Sequence, residues 1–244
     1  MPPHAPPSPD SSEVVPPALR TWIVWSPIVL AIVSPLFFCV PRFDRISAWI
    51  VAENHPVEML TFLSLMAASL WVFALSRDRR FTGGDALATW FFVLFGIGVF
   101  FTAMEEIAWG QTFFHFDTPT LFVDNLQDQT TLHNMPGIQG HNGLLRLGFG
   151  LGGLIGIALA RVPRLARMAT PRVLLSWFLT ITALQVIDVY LAFRPAGTRI
   201  DLINEQMDEV VEMMIGFAAF LYVWLLRRRA VQVEKALPAP PPRG

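Results

Sequence analysis

The chain has 244 residues, 53% of them hydrophobic and 15% charged, with a formal net charge of −1 and a mean hydropathy of +0.48. That apolar excess goes beyond what a soluble core of this length requires and marks a membrane protein, while the near-zero charge excludes the concentrated basic surface of a nucleic-acid binder. The single cysteine, Cys39, excludes an internal disulfide and a cysteine metal centre, so any metal must be held by Asp, Glu, His or Asn.

Residues 1–20 are rich in Pro and Ser without apolar periodicity and are predicted to be a disordered tail, as are residues 230–244. Thr21–Val40 is too long for a signal-peptide core and predicts a retained membrane helix, bent at Pro27 or Pro35. Five further stretches are long enough to cross roughly 30 Å of hydrocarbon: Val57–Ser76, Ala86–Ala108, Gly143–Ala160, Val173–Phe193 and Val210–Leu226. The expected fold class is therefore all-α, a polytopic membrane protein whose six transmembrane helices occupy residues 21–229.

Lys and Arg close to the membrane mark the cytoplasmic side. One set of segments carries Arg20, Arg77, Arg79, Arg80, Arg161, Arg164, Arg167, Arg172 and Arg227–Arg229; the opposite set carries only Arg42, Arg45, Arg194 and Arg199. Both termini are thus expected in the cytoplasm, with the chain in the inner membrane. Most acidic residues, with His55, His115, His133 and His141, then fall at the outer, periplasmic side. Any chemistry is expected there.

Glu105 and Glu106 close the third helix in FGIGVFFTAMEEIAWGQTFF. An ionisable group at membrane depth costs at least about 2.5–3.5 kcal/mol on insertion scales, so it reads as a functional group facing protein or a water-filled cavity. Adjacent helix positions point about 100° apart, which separates the roles of the two. Ile203–Met214 (INEQMDEVVEMM) enters the sixth helix with Glu205, Glu209 and Glu212 on one face. Glu205 reads as a solvated first-turn charge, whereas Glu209-x-x-Glu212 has the spacing by which one helix offers two carboxylates to a shared ion. Glu58 begins the second helix, as a first-turn charge or as a ligand. Asp188 lies in the fifth with Gln185 on the same face, both expected to point inward. Glu58, Glu105, Asp188 and Glu212 come from four helices at similar depth. Together with His133 they form the expected metal set, with Glu106 and Glu209 as catalytic acid–base candidates.

Trp109–Asn142 is far longer than a usual helix–helix connection and is expected to be an outer lid without a clear helix of its own. Gln111, Asn125 and Gln127 within it, and Arg146 beyond it, are the candidate substrate-binding residues. Arg146 can alternatively pair with the acidic cluster or snorkel to the interface. Gly148, Gly152, Gly156 and Ala160 recur every four residues, a small-xxx-small ridge that serves an internal contact, a homodimer or a partner helix.

Glu105, Glu106, Trp109, Gly110 and Gln111, followed by Asn125, Leu126, Gln127, Leu132, His133 and Asn134, resemble the Glu-Glu-x-x-Trp-Gly-Gln … Asn-Leu-Gln … Leu-His-Asn signature of a family of uncharacterised bacterial multi-pass membrane proteins. The resemblance covers about residues 53–134 and departs from the family pattern at Gln129 and Thr131, where a Glu and an Asn are expected. It implies a shared site and names no reaction.

Ser-x-x-Lys, Gly-x-Ser-x-Gly, His-Glu-x-x-His and Walker patterns are absent. The reading of the residues is a metal-dependent hydrolase or transferase acting on a membrane lipid or lipid-linked substrate, with a divalent ion (Zn, Mn or Ca) polarising a substrate oxygen or activating water. The alternative is a non-enzymatic membrane protein: a cation- or proton-binding transporter component, or a structural partner subunit.

Overall fold

The computed structural model describes residues 15–125, 128–132, 135–136, 142–194 and 196–236. Long apolar runs form helices because a chain in hydrocarbon must satisfy its backbone polar groups internally. Six helices are long and apolar enough to cross a membrane: α1 (Pro17–Phe38), α2 (Pro56–Ser76), α3 (Ala86–Glu106), α4 (Asn142–Leu159), α5 (Leu175–Phe193) and α6 (Thr198–Ala236). Among the described residues there is no strand. The architecture is all-α and that of a multi-pass membrane protein.

Two helices extend beyond expectation, and one connection holds an additional helix. α1 begins at Pro17, because proline is well suited to the first helical position, and it runs on through Pro27 and Pro35. α6 reaches from Thr198 to Ala236, so the acidic stretch lies within the helix and residues 230–236 belong to it. Charge limits what a bilayer accepts, but it does not stop a helix. The connection from α1 to α2 contains a further short helix, Asp44–Ile50, with Ile46 and Trp49 exposed as on an interfacial segment.

The sixth helix is the post of the bundle. In its apolar window 67% of residues are buried, against 11–33% in the other five. Val211, Met214, Ala218 and Val223 of α6 form a core with Leu65 and Val72 of α2, Phe92 of α3 and Ile181 of α5. Gly216 brings α6 close to α2, since a β-carbon there would sit 3.1 Å from the Thr61 carbonyl oxygen. The Ser69 hydroxyl donates to the Gly96 carbonyl (2.9 Å) between α2 and α3, and the Trp177 indole donates to the Ile23 carbonyl (2.8 Å) between α5 and α1.

The two ends of the bundle differ in charge as the chain order predicts. At one end Arg229 donates to the Ala166 carbonyl (3.2 Å), and the Arg167 guanidinium lies against Gly83. At the other, Arg199 donates to the Cys39 carbonyl (2.9 Å) and Arg146 meets the acids of α6.

The glycines of α4 divide in a way their spacing does not reveal. Gly150 and Gly153 face α5, where a β-carbon would stand 2.6 Å from Thr182 Oγ1 and 2.0 Å from the Phe178 ring. Gly148 and Gly152, from the expected ridge, have no atoms within 4 Å of where a β-carbon would stand, and Gly156 faces Thr170. The internal α4–α5 contact therefore runs through the neighbouring glycines.

Candidate functional site

The acidic stretch of α6 presents different residues to different neighbours, because positions 3, 4 and 7 apart on a helix share a face while adjacent ones do not. Asp208 and Glu212 turn to α4. Arg146 Nη2 donates to Asp208 Oδ2 (3.1 Å) and Nη1 lies 3.4 Å from Glu212 Oε1, with the arginine side chain 12% exposed. Of the readings open for Arg146, pairing with the acidic cluster is the one observed. Gln185, 1% exposed, donates to Asp208 Oδ1 (3.4 Å), so a polar network joins α4, α5 and α6.

Asp188 belongs to the same seam. Its Oδ1 accepts from the Asn204 amide (2.8 Å), and its Oδ2 would lie 2.1 Å from a β-carbon on Gly143. Glycine at 143 is what lets this carboxylate approach the first turn of α4. Among the described residues, Asn142 Oδ1, Arg146 Nε and Gln185 Oε1 are buried without a hydrogen-bond partner. Such orphan groups cost about 1–3 kcal/mol each.

Glu106 of α3 and Glu209 of α6 form the second half of the site. Both are half-buried, and they interact electrostatically with Glu58 and Glu212, with Arg146 as the nearby cation. Glu58, in the first turn of α2, accepts from the Asn54 backbone N–H, and its charge also reaches this cluster. Glu205 is exposed, as its solvated reading requires.

Glu105 has different work. Its Oε1 accepts from the Trp109 indole (2.7 Å) and its Oε2 from the Leu132 backbone N–H (2.6 Å). Ala108, Trp109 and Gly110 follow one another at φ 45°, 56° and 90°, a left-handed run that non-glycine residues rarely adopt. The turn is held by the Trp109–Glu105 bond and by the Trp109 ring, whose centroid lies 4.7 Å from that of Phe101 in an edge-on contact. It reverses the chain so that the connection folds back over the end of the bundle.

Among its described residues that connection contains only single helical turns, at Ala108–Gly110, Gln111–Phe114 and Thr120–Phe122. Gln111 Oε1 accepts from the Thr130 backbone N–H (2.7 Å) and hydroxyl (2.9 Å), while its amide donates to Thr118 Oγ1 (3.0 Å) and the Asp128 carbonyl (3.3 Å). Asn125 donates to the Thr131 carbonyl (2.7 Å) and accepts from the Gln129 N–H (3.2 Å). Gln129 donates to Glu53 (2.7 Å), tying the loop to the α1–α2 connection. The signature residues Glu105, Trp109, Gln111 and Asn125 are thus the ties of the lid. Gln127, His133 and His141 lie outside the described residues.

Replacing Glu105 by Ala removes two bonds to a charged acceptor, each worth about 1.5–3 kcal/mol. The expected result is amide hydrogen exchange in residues 109–132 faster by at least roughly tenfold, with exchange in the α2 and α6 cores unchanged.

Glu58, Glu106, Glu209 and Glu212 are near enough to act on one another electrostatically, while Asp188 is joined to Asn204. Glu105 is engaged in the lid. Among the described residues, no group of three or more His, Cys, Asp or Glu is arranged to hold a metal ion. Three participants escaped the sequence reading in their roles: Asp208, Asn204 and Trp109. The first two were legible as the stripe Asn204–Asp208–Glu212, which recurs every four residues beside the one containing Glu209. Comparison with known proteins adds no relative to this geometry: no protein-family model, curated protein or solved structure matches the chain.

Proposed function

We propose that the chain performs hydrolysis or group transfer on a lipid or lipid-linked substrate at the acidic end of its bundle, with Glu106 and Glu209 as the acid–base pair. One observation carries this reading. Glu106 and Glu209 sit in an acidic cluster without a hydrogen bond or ion pair among the described residues, whereas Asp208 and Glu212 are joined to Arg146. Carboxylates at membrane depth that hold no structural contact are functional by default. Like charges so placed are relieved by a proton or a bound cation, which is also how two carboxylates come to act as acid and base. The arginine distribution supports an outward-facing site, periplasmic if the chain lies in an inner membrane. A divalent ion held between Glu106 and Glu209 and completed by substrate or water would supply Lewis acidity within the same proposal.

The test is lipid turnover. Proteoliposomes made from total bacterial lipids and the full chain are expected to convert a lipid species detectable by mass spectrometry. Glu209→Gln and Glu106→Gln are each expected to slow that conversion by at least about a hundredfold, as loss of general acid–base catalysis does, with the circular dichroism spectrum preserved.

Among the described residues the carboxylates of the cluster outnumber its cation, Arg146, which favours a second reading, in which the cluster binds a cation or proton without chemistry. Unchanged lipids, together with proton or cation flux abolished by Glu209→Gln, would overturn the enzymatic reading and select this one.

A further inference from the structure

The basic half of the bundle contains a cavity of about 410 Å³, a ligand-sized space. Phe91 and Phe95 of α3 line one side and Gly152 and Ile155 of α4 the other, with Ala219 and Tyr222 of α6 behind. The Tyr222 hydroxyl donates to the Met168 carbonyl (2.5 Å), so the wall presents an essentially apolar surface. Its lining extends along α4 from Phe149 to Leu159, about 15 Å at 1.5 Å per residue. That is the depth of one leaflet in a hydrocarbon core of roughly 30 Å.

Its floor is the segment between α4 and α5, where Met168, Ala169 and Thr170 are buried. The same segment exposes Arg161, Arg164, Arg167 and Arg172 and contains no acidic residue. The adjoining α2–α3 turn carries two acids, Asp78, which is engaged in its own contacts, and Asp85, which caps α3 through the Leu87 N–H (2.9 Å), against the four arginines of the floor segment. An apolar slot one leaflet deep therefore abuts, at its floor, a segment that carries four exposed arginines. From this juxtaposition we infer that the cavity is a binding site for an anionic phospholipid of the arginine-side leaflet, its acyl chain between α3 and α4 and its phosphate against the arginines. The site stands at the opposite end from the acidic cluster and does not depend on that cluster's chemistry.

Gly152 supplies the test, because it lines the cavity and nothing lies within 4 Å of where its β-carbon would be. The β-carbon of a leucine there meets no neighbouring atom. The full-length protein, delipidated in detergent and titrated with phosphatidylglycerol or phosphatidylcholine, is read by native mass spectrometry. The wild type is expected to bind phosphatidylglycerol in preference, Gly152→Leu to weaken that binding at least about tenfold, and Arg164→Gln to reduce the preference about fivefold while leaving phosphatidylcholine binding unchanged. Ile155→Trp fills the slot from its α4 wall and is expected to repeat the Gly152→Leu result if that variant folds poorly. Equal binding of the two lipids by the wild type, or binding undiminished in both filled variants, overturns the inference. So does a wild-type dimer that Gly152→Leu converts to monomer, since the occupant would then be a second copy of the chain.

Discussion

Replacing Arg146 by Met is expected to lower the stability of the detergent-solubilised protein by about 3 kcal/mol. The guanidinium reaches Asp208 at 3.1 Å and Glu212 at 3.4 Å, and its side chain is 12% exposed. Its loss leaves two carboxylates on one face of α6, one turn apart, with Glu106 and Glu209 beside them. Removing one partner of a buried pair costs more than the pair itself is worth, because the remaining charge stays desolvated. The triple variant Arg146→Met, Asp208→Asn, Glu212→Gln should therefore recover most of the loss, since neutral amides need no counter-charge. Denaturation followed by tryptophan fluorescence measures both. A single variant as stable as wild type would show that the ion pairs contribute nothing net, as many exposed pairs do.

The second large effect is expected at Gly153. An alanine β-carbon there would lie 2.0 Å from the Phe178 ring, and that ring is buried and packed against Phe149 at 5.7 Å between centroids. Relief requires α4 and α5 to move apart. Overpacking of this kind costs about 1–3 kcal/mol. Gly152→Ala, one residue earlier, meets no atom within 4 Å and is expected to be neutral or stabilising by up to about 1 kcal/mol through helix propensity. Opposite signs at adjacent glycines, measured in the same denaturation experiment, test the orientation of α4. Equal effects would mean that α4 is rotated from the face described.

The lid shows why a polar motif can be visible long before its role is. Glu105, Trp109, Gln111 and Asn125 stand out in the sequence because polar residues clustered beside an apolar helix need a reason to be there. Their types alone fit a ligand set, a substrate site or a set of ties. Only the left-handed turn at Ala108–Gly110, which returns the chain over the bundle, brings Leu132 to Glu105 and Thr130 to Gln111. Many of the partners are backbone groups, which carry no sequence signature.

Hydrophobic run length and charge placement determined, from the sequence by itself, the all-α class, the six spans and the gathering of acids at one end. These follow from what a bilayer excludes, residue by residue. Only the tertiary structure decided which helix is central, which glycines are packed, and how the acids divide between Arg146 and one another. Those outcomes depend on the rotation of each helix about its axis, and rotation is set by contacts between helices far apart in the chain. Glu105 and Glu106 carry that distinction most plainly: adjacent and chemically alike, they point about 100° apart, one into the lid and the other into the acidic site.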